Sequence, residues 1–103
     1  MSPRKLRVAF AMLAQADFER IVAYTRREWG SSEEQRMSDQ LSNTIDTISR
    51  NPHIGERRSD LRLGIRCFPT GQHLIFYRPY DDHIEIIRIA HSRMDISRLK
   101  LDE

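Results

Sequence analysis

Between Asp60 and Asp95 the chain reads DLRLGIRCFPTGQHLIFYRPYDDHIEIIRIAHSRMD. Three apolar runs are parted by two short breaks, Pro69-Thr70-Gly71 and Tyr80-Asp81-Asp82-His83. Connections that short can join only neighbouring antiparallel strands, which predicts a β-meander. Four arginines, Arg62, Arg66, Arg78 and Arg88, are spaced along it. A small sheet with that many cations presents a charged working face as well as a core.

Side chains alternate along a strand, so Leu61, Leu63, Ile65 and Cys67 share one face of the first run, and Arg62, Arg66 and Phe68 share the other. The first set is expected in the core. The second needs solvent, an ion pair or a bound molecule. Asp60 and Glu85 are the internal carboxylates within reach of Arg62, Arg66 and Arg78, and an external acidic contact competes evenly with them. Leu74 to Tyr77 and Ile84 to Ile89 are apolar on both faces, as expected for interior strands covered on each side.

Upstream, Leu6 to Phe10 alternates as a first strand. From about Met12 to Trp29 the period becomes helical: Ala14, Phe18, Ile21, Thr25 and Trp29 recur in steps of three and four, with Tyr24 alongside. This assigns Phe18, Tyr24 and Trp29 to the core, and Asp17, Glu19, Arg20, Arg26, Arg27 and Glu28 to the outer surface. Gly30 ends the helix as a left-handed residue. Ser31 with Glu34 and Ser32 with Gln35 have capping-box spacing and restart it. Met37, Leu41, Ile45 and Ile48 then form a second stripe, which Asn51-Pro52 stops. Two helices joined this closely run antiparallel. Residues 52–60 read as a polar loop exposing Arg57 and Arg58. The tail from Ser92 to Lys100 carries Ile96, Leu99 and Leu101 among charges and reads as a short helix or arm, with Asp95 available as its cap. The expected architecture is α+β, in the order β-α-α-β-β-β with a C-terminal extension: a helical hairpin on a small, mainly antiparallel sheet.

A chain of 103 residues suffices for one domain with a modest core. Its hydrophobic share of 39% against 31% charged is lean, which favours a protein partner to cover apolar strips. A net charge of +2 is too mild to mark a sequence-specific nucleic-acid binder. Cys67 is the sole cysteine, so no internal disulfide can form; a buried thiol and a reducing, cytoplasmic setting are expected. His53, His73, His83 and His91 show no metal-ligand spacing, and neither metal nor cofactor is expected. The N-terminal apolar run is broken at Gln15 and Asp17, too early for a signal peptide or membrane span.

Five segments, taken in order, resemble the ParE toxins of the RelE/ParE toxin–antitoxin superfamily. They are Tyr24-Thr25-Arg26-Arg27-Glu28-Trp29-Gly30, Asn51-Pro52-His53-Ile54-Gly55, Leu61 through Pro69, Leu74-Ile75-Phe76-Tyr77-Arg78 and Ile86 through Asp95. The resemblance implies a toxin that inhibits DNA gyrase by holding it on cleaved DNA. It also implies neutralisation by a ParD-like antitoxin whose C-terminal segment wraps the hairpin and the sheet in a hetero-oligomer. On that basis Phe18, Ile21, Tyr24, Leu41, Ile45, Arg62, Arg66, Tyr77 and Arg78 are the expected antitoxin contacts. His91, Arg93, Met94, Asp95, Arg98 and Leu99, on a segment that core packing leaves unexplained, are the expected gyrase contacts.

The sister RelE branch cleaves messenger RNA, which needs a general base, a general acid and cations around one phosphate. Arg62, Arg66, Arg78 and His91 are the residues that could supply them. RelE-like enzymes usually carry lysine-rich loops and a C-terminal tyrosine. Here His91-Ser92-Arg93-Met94-Asp95-Ile96 has no tyrosine and the loop before the meander no lysine, so a non-enzymatic toxin is expected. A non-toxic homologue that only binds an antitoxin is the third reading.

Overall fold

The computed structural model describes residues 5–101. Strand β1 (Arg7–Phe10) leads into helix α1 (Met12–Trp29) and helix α2 (Ser31–Arg50). Then follow β2 (Glu56–Arg57), β3 (Arg66–Thr70), β4 (His73–Pro79), β5 (His83–His91) and a 3₁₀ turn at Ile96–Arg98. The sheet order is β1-β5-β4-β3-β2. β1 lies parallel to β5, from Arg7 opposite His83 to Phe10 opposite Ile86, and the other neighbours are antiparallel. The expected hairpin-on-sheet architecture is present, with β2 as an added two-residue edge strand inside the segment read as loop.

Both helices span the predicted residues. They meet at Gly30, whose φ of +91° lies where glycine is favoured. Its N–H donates to the Arg26 carbonyl and its carbonyl accepts from the Glu34 N–H, so one residue closes α1 and opens α2. The capping boxes are not used: Gly30 occupies the N-cap and no side chain caps it.

The sheet has a core on each side, as the doubly apolar strands foretold. Against the hairpin lie Ala14, Leu41, Ile45, Ile48, Ile75, Tyr77, Ile84, Ile86 and Ile89. Against the other face lie Ile65, Cys67, Phe76, Ile87, Ala90 and Leu99, with Leu61, Leu74, Ile96 and Leu101 beside them. The tail is therefore not peripheral. It supplies the cover for the second face, and Asp95 caps its 3₁₀ turn by accepting from the Ser97 N–H.

Three expectations are corrected. Residues 61–65 form a turn rather than a strand, and Leu63 is 83% exposed instead of joining Ile65 and Cys67. Trp29 (71% exposed) and Tyr24 (54%) sit at the C-terminal end of α1 outside the core, and Phe18 is half-buried, edge-on to Phe10. Asp17, assigned to solvent, is 1% exposed.

Asp17 is buried because β5 carries a bulge. Arg88 faces Phe76 and Ile86 faces Tyr77, leaving Ile87 as an extra residue. The insertion shifts the side-chain phase, so Ile86 and Ile89 both reach the hairpin core. Past the end of β1, the Ile89 N–H has no strand partner and donates to Asp17 Oδ2 at 2.9 Å. Arg88 donates from Nε to Asp17 Oδ2 (2.7 Å) and from Nη2 to Oδ1 (3.0 Å). Its Nη1 donates to the Lys100 carbonyl at 2.6 Å, and Arg20 also bonds Asp17. One carboxylate thus joins α1, β5 and, through Arg88, the tail.

Candidate functional site

A groove of about 770 Å³ opens between the exposed ends of the hairpin and the turn joining β3 to β4. α1 contributes Arg20, Ile21, Tyr24, Arg27 and Trp29; α2 contributes Glu33, Arg36, Met37 and Gln40; His73 and His91 close its far side. The stripe of α1 continues past the sheet, so its last aromatics project here instead of packing beneath a strand. Arg27 lies 6.0 Å from the Tyr24 ring centroid, the long edge of cation–π range. Arg36 pairs loosely with Glu33 at 3.7 Å. The result is an apolar trough with a basic rim, the composition that takes an amphipathic segment with acidic flanks.

The His73 and His91 rings meet edge to face, 5.5 Å apart, from facing positions on β4 and β5. His91 Nδ1 accepts from the Arg93 N–H at 3.1 Å, which orients that ring and ties it to the start of the tail. His73 Nδ1 is buried with no hydrogen-bond partner. Burial, and secondarily the nearby His91, lower the His73 pKa. Neutral His73 is thus part of the groove's wall rather than of its charge.

Of the expected antitoxin contacts, Ile21 and Tyr24 line this groove. Phe18 lies in a separate hollow with Val8, Phe10 and Ile45. Leu41 and Tyr77 are fully buried core residues, a correction: they face the sheet, and a buried side chain offers an arm no surface. Ile45 is a core residue whose edge reaches the Phe18 hollow. Tyr77 is held by its hydroxyl, which accepts from the Gly55 N–H (2.9 Å) and donates to the Pro52 carbonyl (2.8 Å).

The arginines lie elsewhere and apart. Arg62 and Arg78 line a cleft with Glu85, Ile87 and Leu101. Arg66 lines another with His53, Arg57 and Leu63. Arg66 Nη1 donates to the carbonyls of Gly55 (2.7 Å) and His53 (3.1 Å), and Arg78 Nη2 donates to the Leu63 carbonyl (3.2 Å). Asp60, one of the two carboxylates expected to serve these cations, takes a bidentate pair of bonds from Arg58 at 3.0 and 2.9 Å, which lowers its pKa. Glu85, the other, lines the cleft with Arg62 and Arg78. His91 is in the hairpin groove. The set that RNA cleavage would need is thus spread over three clefts.

Of the expected gyrase contacts, His91, Arg93, Met94, Asp95 and Arg98 are exposed, whereas Leu99 is buried in the second core. Cys67 is buried as foreseen, and burial pushes its thiol up to about 11. Among the described residues no group of three or more His, Cys, Asp or Glu side chains could hold a metal ion, and no helix is long and apolar enough to cross a membrane. Sequence reasoning missed Trp29, Arg36 and Met37 as groove residues. The only available signal was the combination of an aromatic and a basic residue at the α1–α2 junction.

Residues 8–96 match the family model described as the ParE toxin of type II toxin-antitoxin system, parDE. Toxin ParE1 of Mycobacterium tuberculosis (strain ATCC 25618 / H37Rv) is 35% identical over 86 residues, 82% of this chain and 88% of that protein. Toxin ParE1 of Caulobacter vibrioides is 34% identical over 82 residues, 80% of this chain and 84% of the relative. In fold the chain is similar to a solved structure of the chromosomal ParDE TA system from P. aeruginosa. The TM-score is 0.71 at 16% identity, covering 84% of this chain and 96% of the other. With the matched segment running from β1 to the 3₁₀ turn, the chain belongs to the ParE toxin family of type II toxin–antitoxin systems.

Proposed function

We propose that this ParE-family protein inhibits DNA gyrase by binding it, without making or breaking bonds, and is neutralised by a ParD-like antitoxin seated in the hairpin groove. The toxin–antitoxin pair forms a hetero-oligomer in the cytoplasm, where gyrase works. The observation that carries the antitoxin half is the groove: Trp29, Tyr24, Ile21 and Met37 leave apolar area open to water beside the cations Arg20, Arg27 and Arg36. A stable contact covering them buries about 1,200 Å² or more in total, counting both partners. The gyrase half rests on the family, and the binding-only mechanism gains support from the dispersal of Arg62, Arg66, Arg78 and His91 over separate clefts.

The test is a supercoiling assay with purified gyrase and plasmid. Inhibition with accumulation of cleaved plasmid, reversed by the antitoxin, is expected. Normal supercoiling together with cut messenger RNA on ribosomes would overturn the proposal in favour of the RelE-like enzyme. Induced expression without a growth defect would leave a homologue that binds the antitoxin only.

A further inference from the structure

A second surface shares no lining residue with the hairpin groove. Its centre is Leu63, the most exposed of the large hydrophobic side chains among the described residues. Leu63 is not on a loose loop. The Leu61 and Arg62 N–H groups donate to the Arg58 carbonyl, Ile65 N–H to the Arg62 carbonyl, and Arg58 N–H to the Ile65 carbonyl. Arg78 Nη2 holds the Leu63 carbonyl itself, and Gly64 turns at φ +88° directly against the Arg78 guanidinium. A leucine held that firmly in water is presented, since a mobile loop could fold it inward.

Beside Leu63 is a cleft of about 280 Å³ lined by His53, Arg57, Arg66 and Pro79. Arg57 and Arg66 are register partners on β2 and β3. Like charges directly opposite on neighbouring strands are destabilising unless an anion lies between them. Among the described residues no carboxylate pairs with either. Arg66 cannot swing away, because its Nη1 is fixed on two carbonyls.

We propose that the Leu63 turn is a second protein-docking surface, taking an acidic protein surface. Leu63 enters an apolar socket on the partner while a partner carboxylate enters the cleft between Arg57 and Arg66. The apolar knob favours a protein over a nucleic acid, whose phosphate backbone offers no socket. The inference deepens and rests on the toxin reading above, by giving the toxin's target a surface separate from the hairpin groove.

The test expresses wild type, Leu63→Asp and Arg57→Glu, measuring growth on induction, antitoxin affinity by calorimetry, melting temperature and inhibition of purified gyrase. Both variants should lose toxicity by at least about tenfold while antitoxin affinity stays within about twofold. Melting should not fall: both side chains are exposed, and Arg57→Glu replaces a like-charge cross-strand pair with an opposite-charge one, which raises stability slightly. Unchanged toxicity of Leu63→Asp, a parallel loss of antitoxin affinity, or a wild type that does not slow growth overturns the proposal. Loss with Arg57→Glu but not with Leu63→Asp assigns the surface to a nucleic acid and overturns it too. Leu63-dependent growth arrest with unaffected gyrase supports the surface and sinks the gyrase reading alone.

Discussion

Asp17 and Arg88, 71 residues apart in sequence, hold each other through two hydrogen bonds with Asp17 sealed from solvent and Arg88 only 13% exposed. Removing one member of such a pair leaves the other charge buried and uncompensated. Asp17→Ala should therefore cost about 3–5 kcal/mol of folding stability. Arg20→Ala, which removes a mostly exposed partner of the same carboxylate, should cost about 1 kcal/mol or less. Urea denaturation of both variants separates the two values, and equal costs would show that the buried pair is not the stabilising element.

Tyr77→Phe tests the link between the loop after α2 and the sheet. The Gly55 N–H and Pro52 carbonyl both lose their partner when the hydroxyl goes, while the ring still fills its place. An expected loss of about 1–3 kcal/mol follows from leaving a buried donor unsatisfied. Chemical denaturation measures it, and a neutral result would mean that water replaces the hydroxyl.

Leu99 anchors the tail over the second core, so Leu99→Ala should destabilise by about 2–3 kcal/mol. Deleting Asp95 to Glu103 should then lower the melting temperature as well as toxicity. A truncated protein that melts like wild type would return the tail to a purely recognitive role.

His73 gives the molecule a mild acid sensitivity. Its pKa is lowered from an ordinary value near 6.5, first by burial and then by His91. Below about pH 6.5 the unfolded chain binds the proton that the folded chain resists, so stability declines as pH falls until the folded-state pKa is passed. His73→Gln should flatten this slope in thermal melts between about pH 7.5 and about pH 5.5. The carboxylates of Asp46, held low by Lys5 and Arg50, of Asp60, held low by Arg58, and of Asp82, held low by hydrogen bonds from His83 and Arg7, act only at more acidic pH.

Trp29→Ala should leave stability within about 0.5 kcal/mol, because the ring is exposed, yet weaken antitoxin binding by about 2 kcal/mol or more. Calorimetric titration decides this, and an unchanged Kd would remove the groove from the antitoxin interface.

Local signals made much of the fold legible. The α1 stripe and Gly30 gave the helix bounds, and the doubly apolar runs gave a sheet covered on both sides. What the sequence hid depends on partners distant in the chain. Nothing near Asp17 announces Arg88. The bulge at Ile87 breaks the period of two on which strand reading rests. Stripe logic aligned Tyr24 and Trp29 with the core but could not say where the sheet beneath them ends. The candidate sites were legible as residue types, and their grouping was not: Arg62 and Arg78 share one cleft, Arg66 lines another, and Arg88 is taken up by Asp17.

The first strand has only the fifth to lean on, because β1 pairs with β5 alone. Every partial product of synthesis that stops before His83 leaves Arg7 to Phe10 without a strand partner, and the groove lacks its His91 wall until the last strand is made. Contacts of such long sequence separation close late and together. In a ParE-family chain this couples the groove to completed synthesis: a product that stops before His83 lacks both the strand that holds β1 and the histidine wall that closes the trough.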